Sequence, residues 1–227
     1  MSDTIYSIAT WLVPLVIAIV FHEVAHGLVA RRLGDTTAER MGRLPLNPIK
    51  HVDPVGTIIL PMILAIAHAP IFGWAKPVPV RADRMGHPRR DMVIVALAGP
   101  GMNLLLAILA TAILAAGLAL GGGNPLTFGG FIATNALNFL LINIFLAVFN
   151  LIPLPPFDGG HVVEGLLPRP LAARFHALGR YSLLILFALL LFVPLFWPEA
   201  NIVAKAITPI VNAIARLFLN IAGLSAI

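Results

Sequence analysis

No cysteine occurs anywhere in the 227 residues. A disulfide framework and thiolate metal ligation are both excluded, so any bound metal must be held by histidine and carboxylate. Charge is scarce as well. Asp, Glu, Lys and Arg make up 11% of the chain against 59% hydrophobic residues, and mean hydropathy is +0.94, which excludes an ordinary soluble domain. Such a composition belongs to a multi-pass membrane protein of the all-α class. The net charge of +5 does not point to nucleic acid, because the basic residues cluster between apolar segments as membrane loops do. Met1-Ser2-Asp3-Thr4 lacks the basic start of a signal peptide, and no cleavable leader is expected. Internal repeats, heptads, low-complexity tails and any stretch long enough for a separate soluble fold are also missing. One membrane domain over residues 1–227 is the expectation.

The apolar runs divide the chain. A first span runs from about Ile5 to Leu33, closed by Arg31 and Arg32 with Gly34-Asp35 as its stop signal. A second run, Val55 to Ala69, is short and carries Pro61 and His68, which favours a re-entrant or tilted segment. Phe72 to Val80 reads as extended because Pro77 and Pro79 exclude regular helix. Further spans are expected at Met92 to about Leu120 and at Phe131 to about Asn150, with two more apolar stretches at Tyr181 to Trp197 and Ile202 to Ala222. The fold class expected is thus about five to six transmembrane helices, with a short extended or re-entrant region between the first and third apolar segments.

Lys and Arg orient these elements. Five lie in residues 31–53, five in 76–90 and three in 169–180, whereas 121–130 and 197–201 hold none. The basic loops are expected on the cytoplasmic side of the cell membrane. Because the loops on both sides of Val55–Ala69 are equally basic, that run is expected to dip in and return.

Within the first apolar stretch lies His22-Glu23-Val24-Ala25-His26, an H-E-x-x-H pattern. His22 and His26 are one helical turn apart and project from one face, so both imidazoles can share a metal ion. Glu23, about 100° round the helix, can reach a metal-bound water. Three ionisable groups at membrane depth are costly unless they pair, bind metal or face water. The donor set suits Zn²⁺, whose catalytic sites take three protein ligands and a water. Asp158 is the best candidate for the third ligand. It follows Asn150-Leu-Ile-Pro-Leu-Pro-Pro-Phe just beyond the fourth span, where three prolines forbid regular helix and irregular backbone is tolerated if it lines a cavity. A turn residue in Asp-Gly is the simpler alternative. His26 stands about 8 Å along the helix from the basic boundary, so the two motifs can meet.

Together these motifs resemble the site-2 protease family of intramembrane zinc metalloproteases, peptidase family M50. The H-E-x-x-H helix matches, as do Asn150, Pro153, Pro155, Asp158 and Gly159 of the later N-x-x-P-x-P-x-x-D-G motif. His51-Val-Asp-Pro-Val-Gly-Thr57, Gly73-Trp-Ala-Lys-Pro-Val-Pro79 and Ala98-Gly-Pro-Gly-Met-Asn103 also look like stretches of small bacterial members without PDZ or CBS domains. The resemblance covers roughly residues 10–165. It implies that His22, His26 and Asp158 hold one zinc ion, that Glu23 is the catalytic base, and that Asn150 helps hold the substrate or stabilise the oxyanion. It also implies a transmembrane protein as substrate, cleaved in or near its membrane segment, with the active site near the cytoplasmic side of the inner membrane. The extended run at Phe72–Val80, or the short dipping run beside it, would offer such a substrate a strand edge. The rival readings are a membrane hydrolase of lipid or prenylated substrates, a transporter, and an inactive relative that binds membrane clients.

Other polar residues invite plainer readings. His161 is expected to be interfacial, and His51, His68, His87 and His176 solvated or interfacial. Asn103, Asn135, Asn138 and Asn143 fall within spans, where interhelical hydrogen bonding is expected.

Overall fold

The computed structural model describes residues 2–66, 74–121, 124, 127–188 and 202–224. Its described residues are helical or irregular, without a β-strand, as the composition predicts. Three helices dominate: α1 (Ser2–Arg32), α4 (Pro88–Ala119) and α5 (Phe128–Asn150). Each is long and apolar enough to cross a bilayer, α1 over Thr10–Arg32. Between them lie the short α2 (Thr37–Arg40) and α3 (Leu60–Ile66). After them come α6 (Asp158–Leu166), α7 (Arg169–Leu178), α8 (Ser182–Phe187) and α9 (Ile202–Ile221). His68 and most of the apolar stretch Tyr181–Trp197 lie outside the described residues.

The boundaries follow from local chemistry. Gly34 adopts φ +109°, and the Asp35 amide turns back onto the Ala30 carbonyl at 2.9 Å, so the chain leaves α1 where the sequence placed its stop. Pro88 opens α4, with the Asp91 carboxylate accepting the His87 amide at 2.8 Å. Thr127 caps α5 by accepting the Gly130 amide at 3.0 Å. Pro14 and Pro100 sit inside α1 and α4 without ending them, as membrane helices tolerate when neighbouring groups satisfy the freed carbonyls.

α4 packs antiparallel to both α1 and α5, so the ends of α1 and α5 and the start of α4 lie at one level. Lipid is as apolar as leucine, so close packing rather than burial from water must hold such helices together. Ala107 and Ala110 of α4 accordingly meet Leu140 and Ile144 of α5, all fully buried, while Ile207, Val211 and Ala215 of α9 close the cluster.

The basic loops meet at the same end. The Asp35 carboxylate is fully buried and accepts the Thr37 hydroxyl, the Thr37 amide at 2.9 Å and the Arg81 amide at 2.6 Å. Asp53 caps the helical turn Pro54–Ile59 by accepting the amides of Val55 and Gly56. The Trp74 amide donates to Gly56, and the Thr57 hydroxyl donates to the Trp74 carbonyl at 2.9 Å. Residues 57 and 74 are therefore neighbours.

Candidate metal centre

α1 carries His22 and His26 on one face, with ring centroids 4.7 Å apart and exposures of 6% and 8%. Asp158 arrives from the far end of the sequence. The stretch Leu151–Phe157 turns sharply and places Asp158 as the first residue of α6. Gly159 explains the Asp-Gly-Gly sequence, because a Cβ there would lie 2.4–2.5 Å from the carbonyl oxygens of Leu151 and Ile152. The other end of α6 is held by Arg89, whose Nη2 donates to the carbonyls of Glu164, Gly165 and Leu167. α6 is thus fastened to the start of α4, beside the histidines.

The three side chains meet in a nearly equilateral triangle. His22 Nε2 lies 3.1 Å from His26 Nε2 and 3.2 Å from Asp158 Oδ2, and His26 Nε2 lies 3.3 Å from the same oxygen. A tetrahedral zinc with bonds of about 2.0–2.1 Å separates its ligands by about 3.3–3.4 Å. The triangle fits one face of that tetrahedron.

Proton accounting leads to the same place. His22 Nδ1 stands 2.6 Å from Asn103 Oδ1 and His26 Nδ1 stands 2.7 Å from the Val95 carbonyl. Both partners only accept, so both Nδ1 atoms must donate, and each neutral ring turns a bare Nε2 lone pair inward. Asp158 Oδ2 is buried and lacks a hydrogen-bond donor. Three ligand atoms within 3.3 Å of one another are satisfied only when a cation, a proton or a metal ion, lies among them. The donor set and its spacing fit a metal ion.

Gly99 of α4 forms the floor of the site. A Cβ there would lie 2.4 Å from His26 Nε2 and 2.5 Å from His22 Cε1. Glu23 faces the extended segment, and its Oε2 accepts the Val78 amide at 2.8 Å. Alternate amides of that segment all point inward, Trp74 to Gly56, Lys76 to His51 at 2.8 Å and Val78 to Glu23. Its opposite edge has no N–H at Pro77 or Pro79. A strand laid along that part of the edge meets carbonyl acceptors only.

Not every residue singled out in the sequence comes to the triangle. The Asn150 amide donates at 3.0 Å to Leu146 of its own helix and is not among the converging atoms. His161 is exposed, and His176 pairs with Glu164 at 3.0 Å on the surface. His51 departs from the expected solvated position: it is 2% exposed, with Nε2 donating to the Pro45 carbonyl at 3.2 Å. Packing of the loop beneath the extended segment buries it. Asn103, Asn138 and Asn143 make contacts between helices, whereas Asn135 bonds within its own helix, to Phe131. Gly99, the Val95 carbonyl, the Val78 amide and Arg89 were not foreseen. Three of these act through backbone or through an absent side chain, which composition and spacing do not register.

The description "Peptidase family M50" matches residues 126–193, the part that carries Asn150 and Asp158. "Putative zinc metalloprotease YwhC" of Bacillus subtilis (strain 168) is 36% identical over 206 residues, which is 89% of this chain and 90% of that protein. "Putative zinc metalloprotease Rip2" of Mycolicibacterium smegmatis is 33% identical over 166 residues, covering 69% of this chain and 55% of its own length. Its namesake from Mycobacterium tuberculosis (strain H37Rv) is 34% identical over 188 residues, 82% of this chain and 66% of that protein. No solved structure matches the chain. Similarity over nine-tenths of both chains, joined to a family match across the second half of the site, establishes that this chain belongs to peptidase family M50.

Proposed function

We propose that the chain is a single membrane-embedded zinc metalloprotease domain that hydrolyses peptide bonds in or near the transmembrane segments of membrane proteins. The observation that carries this reading is the triangle of His22, His26 and Asp158, three ligand atoms 3.1–3.3 Å apart beside a glutamate. These three residues would hold one zinc ion, which when bound supplies a Lewis acid for the scissile carbonyl and lowers the pKa of a coordinated water toward 7. Glu23 takes the proton from the attacking water. As the C–N bond breaks, it returns a proton to the departing amine, so that one water is consumed per bond cleaved. The Val78 amide holds one carboxylate oxygen of Glu23 and leaves the other for that proton. Asn150, at the end of α5, is assigned to the substrate backbone or the oxyanion by family likeness.

A helical substrate hides its carbonyls in its own hydrogen bonds, so it must unwind before attack. The carbonyl-only edge at Pro77 and Pro79 would accept substrate N–H groups and leave substrate carbonyls free. The basic residues interlocked around Asp35, Arg84 and Arg89 lie at the same end as Asp158, which supports a site near the cytoplasmic face of the cell membrane.

The test is Glu23→Gln in the full chain reconstituted with a transmembrane substrate. Cleavage should fall by about 10²-fold or more while zinc content stays unchanged. Intact cleavage would refute the mechanism. Protein that lacks stoichiometric zinc would favour the transporter or inactive-relative reading, and a lipid substrate assayed alongside separates the third rival.

A further inference from the structure

The two histidines are aimed by different means. His26 Nδ1–H donates to a backbone carbonyl, that of Val95, which can only accept, so its tautomer is settled. His22 Nδ1 faces a side-chain amide instead. An asparagine presents an acceptor at one end and donors at the other, and the two orientations occupy nearly the same space. If Asn103 presented its NH₂ group, His22 would carry its proton on Nε2 and could not ligate a metal.

The orientation of Asn103 is imposed from further away. Asn103 Nδ2 donates to Asn143 Oδ1 at 2.9 Å and approaches the Ala18 carbonyl at 3.4 Å. Asn143 Nδ2 in turn donates to the Phe139 carbonyl at 2.8 Å. Both asparagines are fully buried, at 0% exposure, so no water competes for these bonds. The relay therefore has one direction. The Phe139 carbonyl takes the Asn143 NH₂, the Asn143 oxygen takes the Asn103 NH₂, and the Asn103 oxygen takes the His22 Nδ1–H. What emerges is a bare Nε2 pointing at Asp158.

We propose that Asn143 and Asn103 are positioning residues that lock His22 in its metal-binding tautomer, with direction supplied by the Phe139 carbonyl of α5. This rests on the reading of His22, His26 and Asp158 as a zinc site. It ties the metal site of α1 to α5 through α4, so that metal affinity depends on a residue that touches neither metal nor ligand.

The relay predicts an asymmetry between two substitutions at one position. In Asn143→Asp an acceptor still faces the Asn103 NH₂, so direction is kept. Asn143→Leu has similar volume but accepts nothing, so Asn103 keeps only its longer 3.4 Å contact with the Ala18 carbonyl to hold its orientation. Zinc affinity of the full chain in detergent, measured by competition with a chromogenic chelator, should fall roughly 10–100-fold in Asn143→Leu and by less than threefold in Asn143→Asp. Cobalt substituted for zinc should give wild-type d–d bands in the Asp variant and weakened bands in the Leu variant. Equal affinity for Asn143→Leu and wild type would overturn the proposal, as would equal losses in the two variants, since a packing role does not distinguish an acceptor from a donor. If Asn143→Leu does not fold, Asn143→Ala decides: with no side-chain acceptor facing the Asn103 NH₂ it should lose zinc affinity about tenfold or more, and affinity within threefold of wild type refutes the relay. Wild-type protein without stoichiometric zinc would overturn the metal reading itself and the relay with it, an outcome distinct from wild-type binding with an indifferent Asn143.

Discussion

Gly99→Ala is the sharpest perturbation of the proposed metal site, because it adds one methyl group and alters none of the three proposed ligands. The added Cβ would lie 2.4 Å from His26 Nε2, 2.5 Å from His22 Cε1 and 2.6 Å from His26 Cε1. Van der Waals contact between such atoms begins near 3.5 Å, so the rings or the α4 backbone must move by about 1 Å. The backbone has little freedom, since Pro100 follows immediately and Val95 and Asn103 are pinned by the same two histidines. The rings would yield, and ligand distances tolerate only about 0.2 Å of error. We expect Gly99→Ala to be folded, destabilised by about 1–3 kcal/mol as overpacked sites are, and to hold little or no zinc. The assay is metal content by mass spectrometry on detergent-purified protein, with a melting curve beside it. Zinc at full stoichiometry in Gly99→Ala would refute the placement of α4 against the histidine face. Loss of fold would be distinguished by comparison with His22→Ala, which removes a ligand without crowding.

Three further substitutions test the supports of the site. Val78→Pro deletes the amide that holds Glu23, in a segment already proline on both sides, and should slow peptide cleavage by about 10-fold or more against Val78→Ala, as expected for a lost charge-assisted bond of about 1.5–3 kcal/mol. Equal rates for the two variants would show that the amide does not matter. Arg89→Ala frees the carbonyls at the end of α6 and should lower stability by about 1–2 kcal/mol, with hydrogen exchange rising over residues 151–167; unchanged exchange there would sink the idea that Arg89 fastens α6. Asp35→Ala strips the acceptor from the Arg81 and Thr37 amides and should cost about 2–4 kcal/mol. Burial would raise the Asp35 carboxyl, but the bonds from Thr37 and Arg81 outweigh it and hold it below the usual range. Its stabilisation is therefore full above the unfolded value of about 3.9 and is lost as pH falls through the lower folded value, so acid melting of the wild type between neutral pH and about 4 should show no Asp35 contribution, whereas below 4 the difference from Asp35→Asn should shrink.

What the sequence made legible was whatever repeats along one helix or interrupts one. His22 and His26 share a face because the α-helical period places i and i+4 together, and no tertiary knowledge is needed. The ends of α1 and α5 were readable from Gly34 and the prolines after Asn150, each acting through its own backbone, whereas α4 was expected from Met92 and begins at Pro88. The basic residues that cluster around Asp35 and Arg89 lie at the same end of the bundle as Asp158. Asp158 was reachable only as a candidate, because its meeting with the histidines depends on α6 being fastened by Arg89, some 70 residues upstream in sequence, and hydropathy carries no record of such a contact.

The remaining features were opaque for a single physical cause: they are made by groups that every residue has, or by a group that is missing. The Val95 carbonyl and the Val78 amide belong to the peptide unit and leave no mark on residue type. Gly99 matters through the absence of a Cβ, and a glycine inside a helix reads equally as close packing anywhere along the span. Asn143 lies between these cases. Its polarity in an apolar helix does signal a hydrogen bond, but not whether the bond ends in packing or continues to a ligand. Only the direction of donation distinguishes the two, and direction is set where the chain of amides ends, at a carbonyl that cannot donate.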